Sequence, residues 1–264
     1  MYNFAYHKPN RIDEAIDILK NAEDGKILAG GQTLIATMKL RLAAPSDLID
    51  LGGIEGLGDI KKKGDELVLG SMATHTQVTS SDLIQQEIPS LSTLASQIGD
   101  QMIRNLGTIG GSIANNDPAA DYPAAALGLG ATIVTDSREI SADDFFTGMY
   151  ETCLQDNEII KHIAFPIPNR SAYIKFKNPA SRYAIVGVMV AEFNDQVRVA
   201  VTGAGNGTFR IESFEKALTK DFSEFSIKDI KIPTDNLIED MHASATYRAH
   251  LIKVITRRAV QSAM

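Results

Sequence analysis

The sequence predicts an α+β fold, in which a larger region of mixed helices and strands precedes a smaller region of antiparallel strands and helices. Up to about residue 165, short apolar runs typical of strands alternate with amphipathic segments of helical spacing. Beyond it, three strand-like segments follow one another before two helical segments. The stretch 165–171 between them contains Pro166 and Pro168 and has no periodicity, so we place a domain boundary there, giving domains 1–168 and 169–264.

In the first domain, Arg11–Ala22 is predicted to be a helix because its apolar residues fall on one face. Lys61, Lys62 and Lys63, followed by Gly64 and Asp65, predict a solvated hairpin tip. The glycine-rich stretch 103–116 is predicted to be irregular. The other predicted elements are strands at 26–29, 47–51, 131–135 and 158–165, hairpin arms at 57–60 and 66–70, and helices at 33–42, 74–80, 90–98 and 123–129.

The second domain is predicted to be antiparallel in character. Three strands are expected at 172–177, 185–193 and 197–204, with a turn at Asn194 and Asp195 between the last two. Two helices are expected at 211–218 and 243–260.

Composition excludes several classes of protein. A net charge of −7 over 264 residues does not favour binding to nucleic acid. Cys153 is the single cysteine, so the chain cannot form an internal disulfide or hold an iron–sulfur cluster alone, and its five histidines lack metal-ligand spacing. No metal site is expected. Since no signal-peptide pattern or membrane-spanning run occurs, we expect a cytoplasmic protein.

Two glycine pairs are the strongest functional signal. They lie in Ala29-Gly30-Gly31-Gln32-Thr33 and in Thr108-Ile109-Gly110-Gly111-Ser112. Glycines permit backbone conformations in which several amides converge on an anion, and two such loops suggest a ligand with two linked phosphates, such as a dinucleotide. Each motif alone could equally be an ordinary tight turn. The chain has neither a GxGxxG fingerprint nor a P-loop, so the site belongs to another fold.

Other candidate residues are individually ambiguous. Asp121 precedes a predicted helix and could be its N-cap or a carboxylate that binds ribose hydroxyls. Lys175 and Lys177 alternate on a predicted strand and either face solvent or direct an ammonium at a cofactor ring. Tyr183 could belong to the core or pack against such a ring. No set of catalytic acid, base and nucleophile is evident, so no catalytic residue is assigned to this chain.

Both motifs resemble those of the FAD-binding medium subunits of molybdenum hydroxylases, the family of aerobic carbon monoxide dehydrogenase and xanthine dehydrogenase. The first motif continues into Leu34-Ile35 and Met38-Lys39-Leu40-Arg41, and the second runs from Ile103 through Asp117-Pro118-Ala119-Ala120-Asp121. The segment from His242 to Leu251 and the segment Thr256-Arg257-Arg258-Ala259 resemble the closing helix of the family. The resemblance implies a PCMH-type FAD-binding domain of two α/β subdomains, followed by a small α+β C-terminal domain with antiparallel strands.

The resemblance also implies the cofactor and its contacts. FAD would be held at its diphosphate by both motifs, at its ribose by Asp121, and at its flavin side by Ile160, Lys177 and Tyr183. The implied diphosphate contacts are Ile27, Leu28, Ala29, Gly30, Gly31, Gln32, Thr33, Leu34, Thr108, Ile109, Gly110, Gly111 and Ser112.

In the family, a large subunit carries the molybdenum cofactor and a small subunit carries two [2Fe–2S] clusters. The resemblance therefore implies that this chain passes electrons from those clusters through FAD to an external acceptor such as NAD+, a quinone or O2, within a dimer of heterotrimers. Two alternatives remain open. One is a stand-alone PCMH-type FAD oxidase or reductase with its own substrate, and the other is a cofactor-free interaction protein that has kept the fold.

Overall fold

The computed structural model describes residues 1–263, which form an α+β fold as the sequence predicts. The strands are β1 (Ala5–His7), β2 (Gly25–Leu28), β3 (Asp47–Asp50), β4 (Ile60–Lys63), β5 (Glu66–Gly70), β6 (Thr132–Thr135), β7 (Glu139–Ser141), β8 (Phe146–Gly148), β9 (Glu151–Thr152), β10 (Ile160–Pro166), β11 (Arg170–Lys177), β12 (Ala184–Glu192), β13 (Val197–Thr202) and β14 (Phe209–Arg210). The helices are α1 (Ile12–Asn21), α2 (Leu34–Lys39), α3 (His75–Ser80), α4 (Asp82–Glu87), α5 (Pro89–Ser96), α6 (Gln101–Leu106), α7 (Ile109–Asn115), α8 (Asp121–Leu129), α9 (Ala142–Phe145), α10 (Glu212–Lys220) and α11 (Ala245–Ser262).

The N-terminal part contains two sheets. A parallel sheet has the strand order β1-β3-β2, and α1 buries Ala15 and Leu19 in a core that includes Ile49 of β3. A second, antiparallel sheet has the order β4-β5-β10-β6-β7. Its apolar face packs with residues of α3, α5, α7 and α8 into the largest core of the described residues. The first glycine motif directly follows β2, so the parallel sheet fixes where that loop begins.

The C-terminal part is built on an antiparallel sheet of order β11-β12-β13-β14. Successive side chains of a strand face opposite sides, and β12 uses both sides. Met189 and Ala191 join the core of the N-terminal part, whereas Val188 and Val190 pack in a second core with residues of α10 and α11. The sheet is therefore covered on both faces, and one face lies against α5 and against α8, the helix that begins at Asp121.

One sequence-based prediction of local structure is wrong. The stretch 103–116 is not irregular but largely helical, in α6 and α7. Asp100 caps α6 by accepting a hydrogen bond from the Ile103 amide at 2.9 Å. Thr108 caps α7 in the same way. The paired glycines lie in the first turn of α7, and the Thr108 cap compensates for their low helix propensity.

Two other predictions need smaller corrections. Lys61, Lys62 and Lys63 are not the hairpin tip, because they lie within β4 and pair with β5, so the turn is Gly64 and Asp65. Gly64 has φ +62°, which glycine adopts without strain. The predicted helix 33–42 ends earlier, at Lys39. Besides α6 and α7, the elements that the sequence did not predict are β1, α4, β7, α9, β8, β9 and β14.

Candidate functional site: a cleft between two glycine motifs

A cleft of about 600 Å³ collects most of the residues that the sequence singles out. This volume lies within the range of about 300–1,000 Å³ that is usual for ligand pockets. Its walls come from the β2–α2 loop, the start of α7, the start of α8 and the loop before β12. The predicted site residues in its lining are Ile27, Ala29, Gly30, Gly31, Gln32, Thr33, Leu34, Thr108, Gly110, Gly111, Ser112, Asp121, Ile160 and Tyr183.

The two glycine motifs touch each other. A Cβ atom on Gly30 would overlap the carbonyl oxygen of Leu106 and would lie 2.8 Å from the Cα atom of Gly107. A Cβ atom on Gly111 would lie 3.5 Å from the Cβ atom of Ala29 and 3.0 Å from Thr108 Oγ1. The absence of side chains at these positions therefore allows two backbone segments that are far apart in sequence to form one wall of the cleft.

The first motif provides free backbone donors. Within residues 1–263, the amides of Gly30, Gly31, Gln32 and Thr33 donate to no protein acceptor. Gly31 has φ +73°, the left-handed conformation that glycine tolerates. Successive amides around such a residue form a concave anion site. This loop therefore fits the diphosphate of a dinucleotide by its chemistry.

The second motif differs from the sequence-based interpretation, because its amides are already bonded within the protein. The Ile109 amide donates to the carbonyl of Ala73 at 3.0 Å, and the Gly110 amide donates to that of Ser71 at 2.8 Å. The Gly111 amide donates to Thr108 Oγ1 at 3.2 Å. The capping threonine and the neighbouring loop satisfy these donors, so this motif shapes the wall of the cleft rather than supplying a second set of free amides.

Asp121 lies at the start of α8 within a buried polar cluster. Its side chain is not the N-cap, a position that Ala120 holds. Lys175 Nζ donates to both carboxylate oxygens of Asp121 at 2.9 Å and to the carbonyl of Gln97 at 3.1 Å, and the Tyr173 hydroxyl donates to Asp121 Oδ1. Burial raises the pKa of the Asp121 carboxyl, and the Lys175 ammonium opposes that rise. Lys175 is therefore the buried counterion of a carboxylate in the cleft, and it is not on a solvent-facing edge.

Tyr183 is half exposed at the other end of the cleft and is held there by a closed loop. The Asn178 amide donates to the carbonyl of Tyr183 at 2.8 Å, and Asn178 Oδ1 accepts from the Ser181 amide at 3.1 Å. Arg182 has φ +63°, and its Nη1 donates to the carbonyl of Gly99 at 2.8 Å. Burial and the nearby Asp117 raise the pKa of Tyr183, so its hydroxyl stays protonated at neutral pH.

Three residues of the predicted site do not line the cleft. Ile109, the first residue of α7, has its side chain fully buried in the core. Leu28 belongs to β2, and its side chain lies beneath Gly31. Lys177 is exposed at the end of β11, beyond the buried Lys175. These three residues are therefore outside the lining of the cleft.

Ser71 and His75 are among the polar residues of the cleft lining that the sequence did not identify. Both are buried, and within residues 1–263 neither Ser71 Oγ nor His75 Nδ1 has a hydrogen-bond partner. Burial, with a smaller effect from the Arg104 charge, lowers the pKa of His75 to about 4. No local pattern marks these residues, because only the folded chain brings the end of β5 to the start of α7.

His75 should make stability depend on pH. Its pKa is about 4 when folded and about 6.5 when unfolded, so the unfolded chain binds the additional proton as the pH falls. The stabilisation is complete above pH 6.5 and is lost as the pH falls toward 4. Between pH 7 and pH 5 we expect a loss of about 2 kcal/mol in the free energy of unfolding. Urea denaturation at both pH values measures this loss of stability. The His75→Phe protein should lose less stability than wild type between the two pH values. Equal losses in both proteins would contradict the lowered pKa of His75.

Within residues 1–263, no helix has the length and apolar character needed to cross a membrane. The same residues contain no cluster of three or more histidine, cysteine or carboxylate side chains that could hold a metal ion.

Comparison with known proteins identifies the family to which this chain belongs. Residues 2–168 match the family model of the FAD binding domain in molybdopterin dehydrogenase. Over 98% of this chain and 96% of the relative, the sequence is 35% identical to the nicotine 6-hydroxylase medium subunit of Paenarthrobacter nicotinovorans. Two solved structures also match this chain, and each match covers 98% of this chain and 96% of the matched chain. They are quinoline 2-oxidoreductase from Pseudomonas putida 86, with a TM-score of 0.89 and 28% identity, and carbon monoxide dehydrogenase from Hydrogenophaga pseudoflava, with a TM-score of 0.86 and 31% identity.

These matches span the chain from end to end, and they agree with a cleft whose first glycine loop fits a dinucleotide diphosphate. The cofactor that the sequence implies, FAD, is the one that the matched family binds. The chain belongs to the FAD-binding medium subunits of the molybdenum hydroxylases, a family of oxidoreductase subunits.

Proposed function

We propose that this chain carries electrons between partners. It would receive them from the [2Fe–2S] clusters of a small subunit and deliver them to an external acceptor such as NAD+, a quinone or O2, while a large subunit with the molybdenum cofactor oxidises the substrate. The main support for the proposal is the loop in the cleft whose four backbone amides donate to no acceptor within residues 1–263, in a chain that has a single cysteine. Such a chain can bind a dinucleotide, but it cannot ligate an iron–sulfur cluster by itself.

When bound, FAD supplies the one- and two-electron redox chemistry, and the protein supplies binding and orientation. In this proposal the amides of residues 30–33 bind the diphosphate, and Asp121 lies toward the ribose. Ile160 and Tyr183 lie toward the flavin side. Lys175 fixes the position of the Asp121 side chain, because it donates to both carboxylate oxygens. The hydrogen bonds of Asn178 hold Tyr183 in place, so it does not need the cofactor to order it.

The proposal also covers the domain organisation of the chain and its assembly with partner subunits. We place the FAD-binding domain at 1–168 and a C-terminal domain at 169–264, since the second sheet ends at Pro166 and the third begins at Arg170. We place the complex in the cytoplasm as a dimer of heterotrimers, and the unpaired Cys153 is compatible with a reducing compartment. The relatives named above support partner subunits, because one is a medium subunit and another is a carbon monoxide dehydrogenase that, in the solved structure, lacks the Mo-pyranopterin moiety of its molybdenum cofactor.

Purification from the native host through a tag on this chain tests the proposal. We expect a flavin spectrum, a co-purifying subunit with iron–sulfur absorbance and a co-purifying subunit that contains molybdenum. Reducing the clusters with the physiological substrate should bleach the flavin absorbance. A yellow chain that oxidises a substrate without partners would instead indicate a stand-alone FAD enzyme. A colourless chain that takes up no FAD would indicate an interaction protein.

A further inference from the structure

One hydrogen bond joins two sides of the cleft at its solvent-facing edge. Nη1 of Arg182, in the loop between β11 and β12, donates at 2.8 Å to the carbonyl of Gly99, in the loop between α5 and α6. Both residues line the cleft. Arg182 is exposed and Gly99 is half-buried, so the bond lies at an edge that solvent reaches and not in the core. We call this bond the Arg182–Gly99 clasp.

The loop that carries Arg182 is closed on itself by backbone hydrogen bonds. The Arg182 amide donates to the carbonyl of Asn178 at 2.9 Å, and the Asn178 amide donates to the carbonyl of Tyr183 at 2.8 Å. The loop begins at the end of β11 and ends at the start of β12. Residues 178–183 can therefore turn about these two strand ends as one body, and Tyr183 would move together with Arg182.

The backbone of Arg182 is strained while the clasp is closed. Its φ of +63° lies in the left-handed region, where a residue with a Cβ atom has a higher free energy than in the extended or right-handed regions. Such conformations persist only where surrounding contacts hold them, and they cluster at ligand clamps and switch regions. Among the described residues, the Gly99 carbonyl is the one protein acceptor of the Arg182 side chain. Opening the clasp would therefore allow this strain to be released.

Opening the clasp would not leave the Gly99 carbonyl without a partner. This carbonyl also accepts a hydrogen bond from Arg104 Nη1 at 3.2 Å, which does not depend on Arg182. The guanidinium of Arg182 would be hydrated, because the residue is already exposed. Since neither partner of the bond would be left unsatisfied, opening avoids the large cost of an unpaired buried group. The open and closed states are therefore close in free energy, as a moving element at a binding site requires.

A second link between the same two segments is buried and fixed. Lys175 Nζ donates to the carbonyl of Gln97 at 3.1 Å and to both carboxylate oxygens of Asp121, and the side chain of Lys175 is 0% exposed. Breaking this link would leave a buried charge unpaired, which is strongly destabilising. Opening is therefore confined to the exposed edge of the cleft, while the buried side keeps its shape.

We propose that the Arg182–Gly99 clasp controls the entry and release of FAD. With the clasp closed, the loop 178–183 holds Tyr183 at the end of the cleft and prevents the exchange of a ligand as large as a dinucleotide. With the clasp open, the loop turns outward and the cleft becomes accessible. Arg182 is a positioning residue in this inference, because it acts through the loop and not through contact with the cofactor. The inference rests on the proposed binding of FAD in the cleft.

Arg182→Met tests the inference in the full chain, because it removes the donors and keeps an unbranched side chain at the same backbone position. Flavin fluorescence after mixing flavin-free protein with FAD gives the association rate constant. Transfer of bound FAD to an excess of a second flavin-free protein gives the dissociation rate constant. We expect both rate constants to rise about tenfold and the Kd to change by less than about twofold, because the clasp is lost equally from the empty and the loaded protein.

Two further variants separate the clasp from other effects of the substitution. Arg182→Lys, whose ammonium can still donate to the Gly99 carbonyl, should give rate constants between those of wild type and Arg182→Met. Lys216→Met removes one exposed positive charge outside the cleft lining and should leave both rate constants unchanged, which controls for attraction of the anionic cofactor. The melting temperature of flavin-free Arg182→Met should stay close to that of wild type, because the lost bond is exposed.

Unchanged rate constants in Arg182→Met would overturn the inference. Faster dissociation with unchanged association, and hence a higher Kd, would show instead that the guanidinium contacts FAD directly. Faster exchange together with a large fall in melting temperature would show that general loosening of the fold releases FAD. Either result also overturns the clasp. Failure of the proposed function is distinguishable from these outcomes, because wild-type protein would then take up no FAD.

Discussion

Gly30→Ala is expected to abolish retention of FAD and to lower the free energy of unfolding by about 3 kcal/mol. The added Cβ atom would overlap the carbonyl oxygen of Leu106 and would lie 2.8 Å from the Cα atom of Gly107. Both obstacles are backbone atoms, so no side-chain rotation relieves the overlap. The β2–α2 loop would have to move away from α7, and its four free amides would move with it.

The effect is measured as the flavin-to-protein absorbance ratio of purified protein and as the midpoint of chemical denaturation. Gly58→Ala is the matched control, because a Cβ atom there would have ordinary contact at 3.9 Å from the carbonyl oxygen of Met72. The control should keep its flavin and change stability by no more than about 1 kcal/mol. A Gly30→Ala protein with full flavin content and normal stability would show that the two glycine motifs are not in contact.

Long periodic segments could be predicted from sequence because the local pattern and the tertiary environment agree. The helix predicted at 11–22 is observed at 12–21, and the strand predicted at 185–193 is observed at 184–192. Prediction was wrong at 103–116, where glycine content suggested a loop and the side-chain caps of Asp100 and Thr108 produced two helices. Each cap depends on one side-chain hydrogen bond, which is a weak signal in a sequence. The sequence-based interpretation therefore gave more weight to the glycine content.

The candidate site divides in the same way. The first glycine motif could be identified because its anion-binding geometry is local, from the end of β2 to the start of α2. That the amides of the second motif are already hydrogen-bonded could not be predicted, since two of them donate to the carbonyls of Ser71 and Ala73, which are distant in sequence. The pairing of Asp121 with Lys175 spans 54 positions and depends on how the third sheet packs against α8. Such contacts follow from tertiary packing, which periodicity does not encode.

The pairing of Asp121 with Lys175 leads to the second large expected effect. Lys175→Met should lower the free energy of unfolding by about 3–5 kcal/mol at pH 7, because it leaves a buried carboxylate without its counterion. The side chains of Lys175 and Asp121 are only 0% and 5% exposed, so solvent cannot replace the ammonium. Lys216→Met is the matched control. The Lys216–Glu212 pair is 75% and 77% exposed, and removing it should change stability by less than about 1 kcal/mol.

The pH dependence distinguishes loss of charge from loss of packing in Lys175→Met. Without the ammonium, burial alone sets the pKa of Asp121 and raises it further above its unfolded value of about 4. A group with a raised folded pKa stabilises fully below its unfolded pKa, and that stabilisation is lost as the pH rises through the folded pKa. The deficit relative to wild type should therefore be smaller at pH 5 than at pH 7, by up to about 1.4 kcal/mol per pH unit.

The double variant Asp121→Asn/Lys175→Met completes a thermodynamic cycle. Removing both charges should recover most of the stability that Lys175→Met loses and should abolish the additional pH dependence, because no unpaired charge remains buried. His75 titrates equally in all four proteins, so its contribution cancels in each comparison. Urea denaturation of the four proteins at pH 5 and pH 7 supplies every term. A deficit in Lys175→Met that is the same at both pH values and is not recovered in the double variant would show that Lys175 stabilises the fold through the packing of its aliphatic chain rather than through its charge.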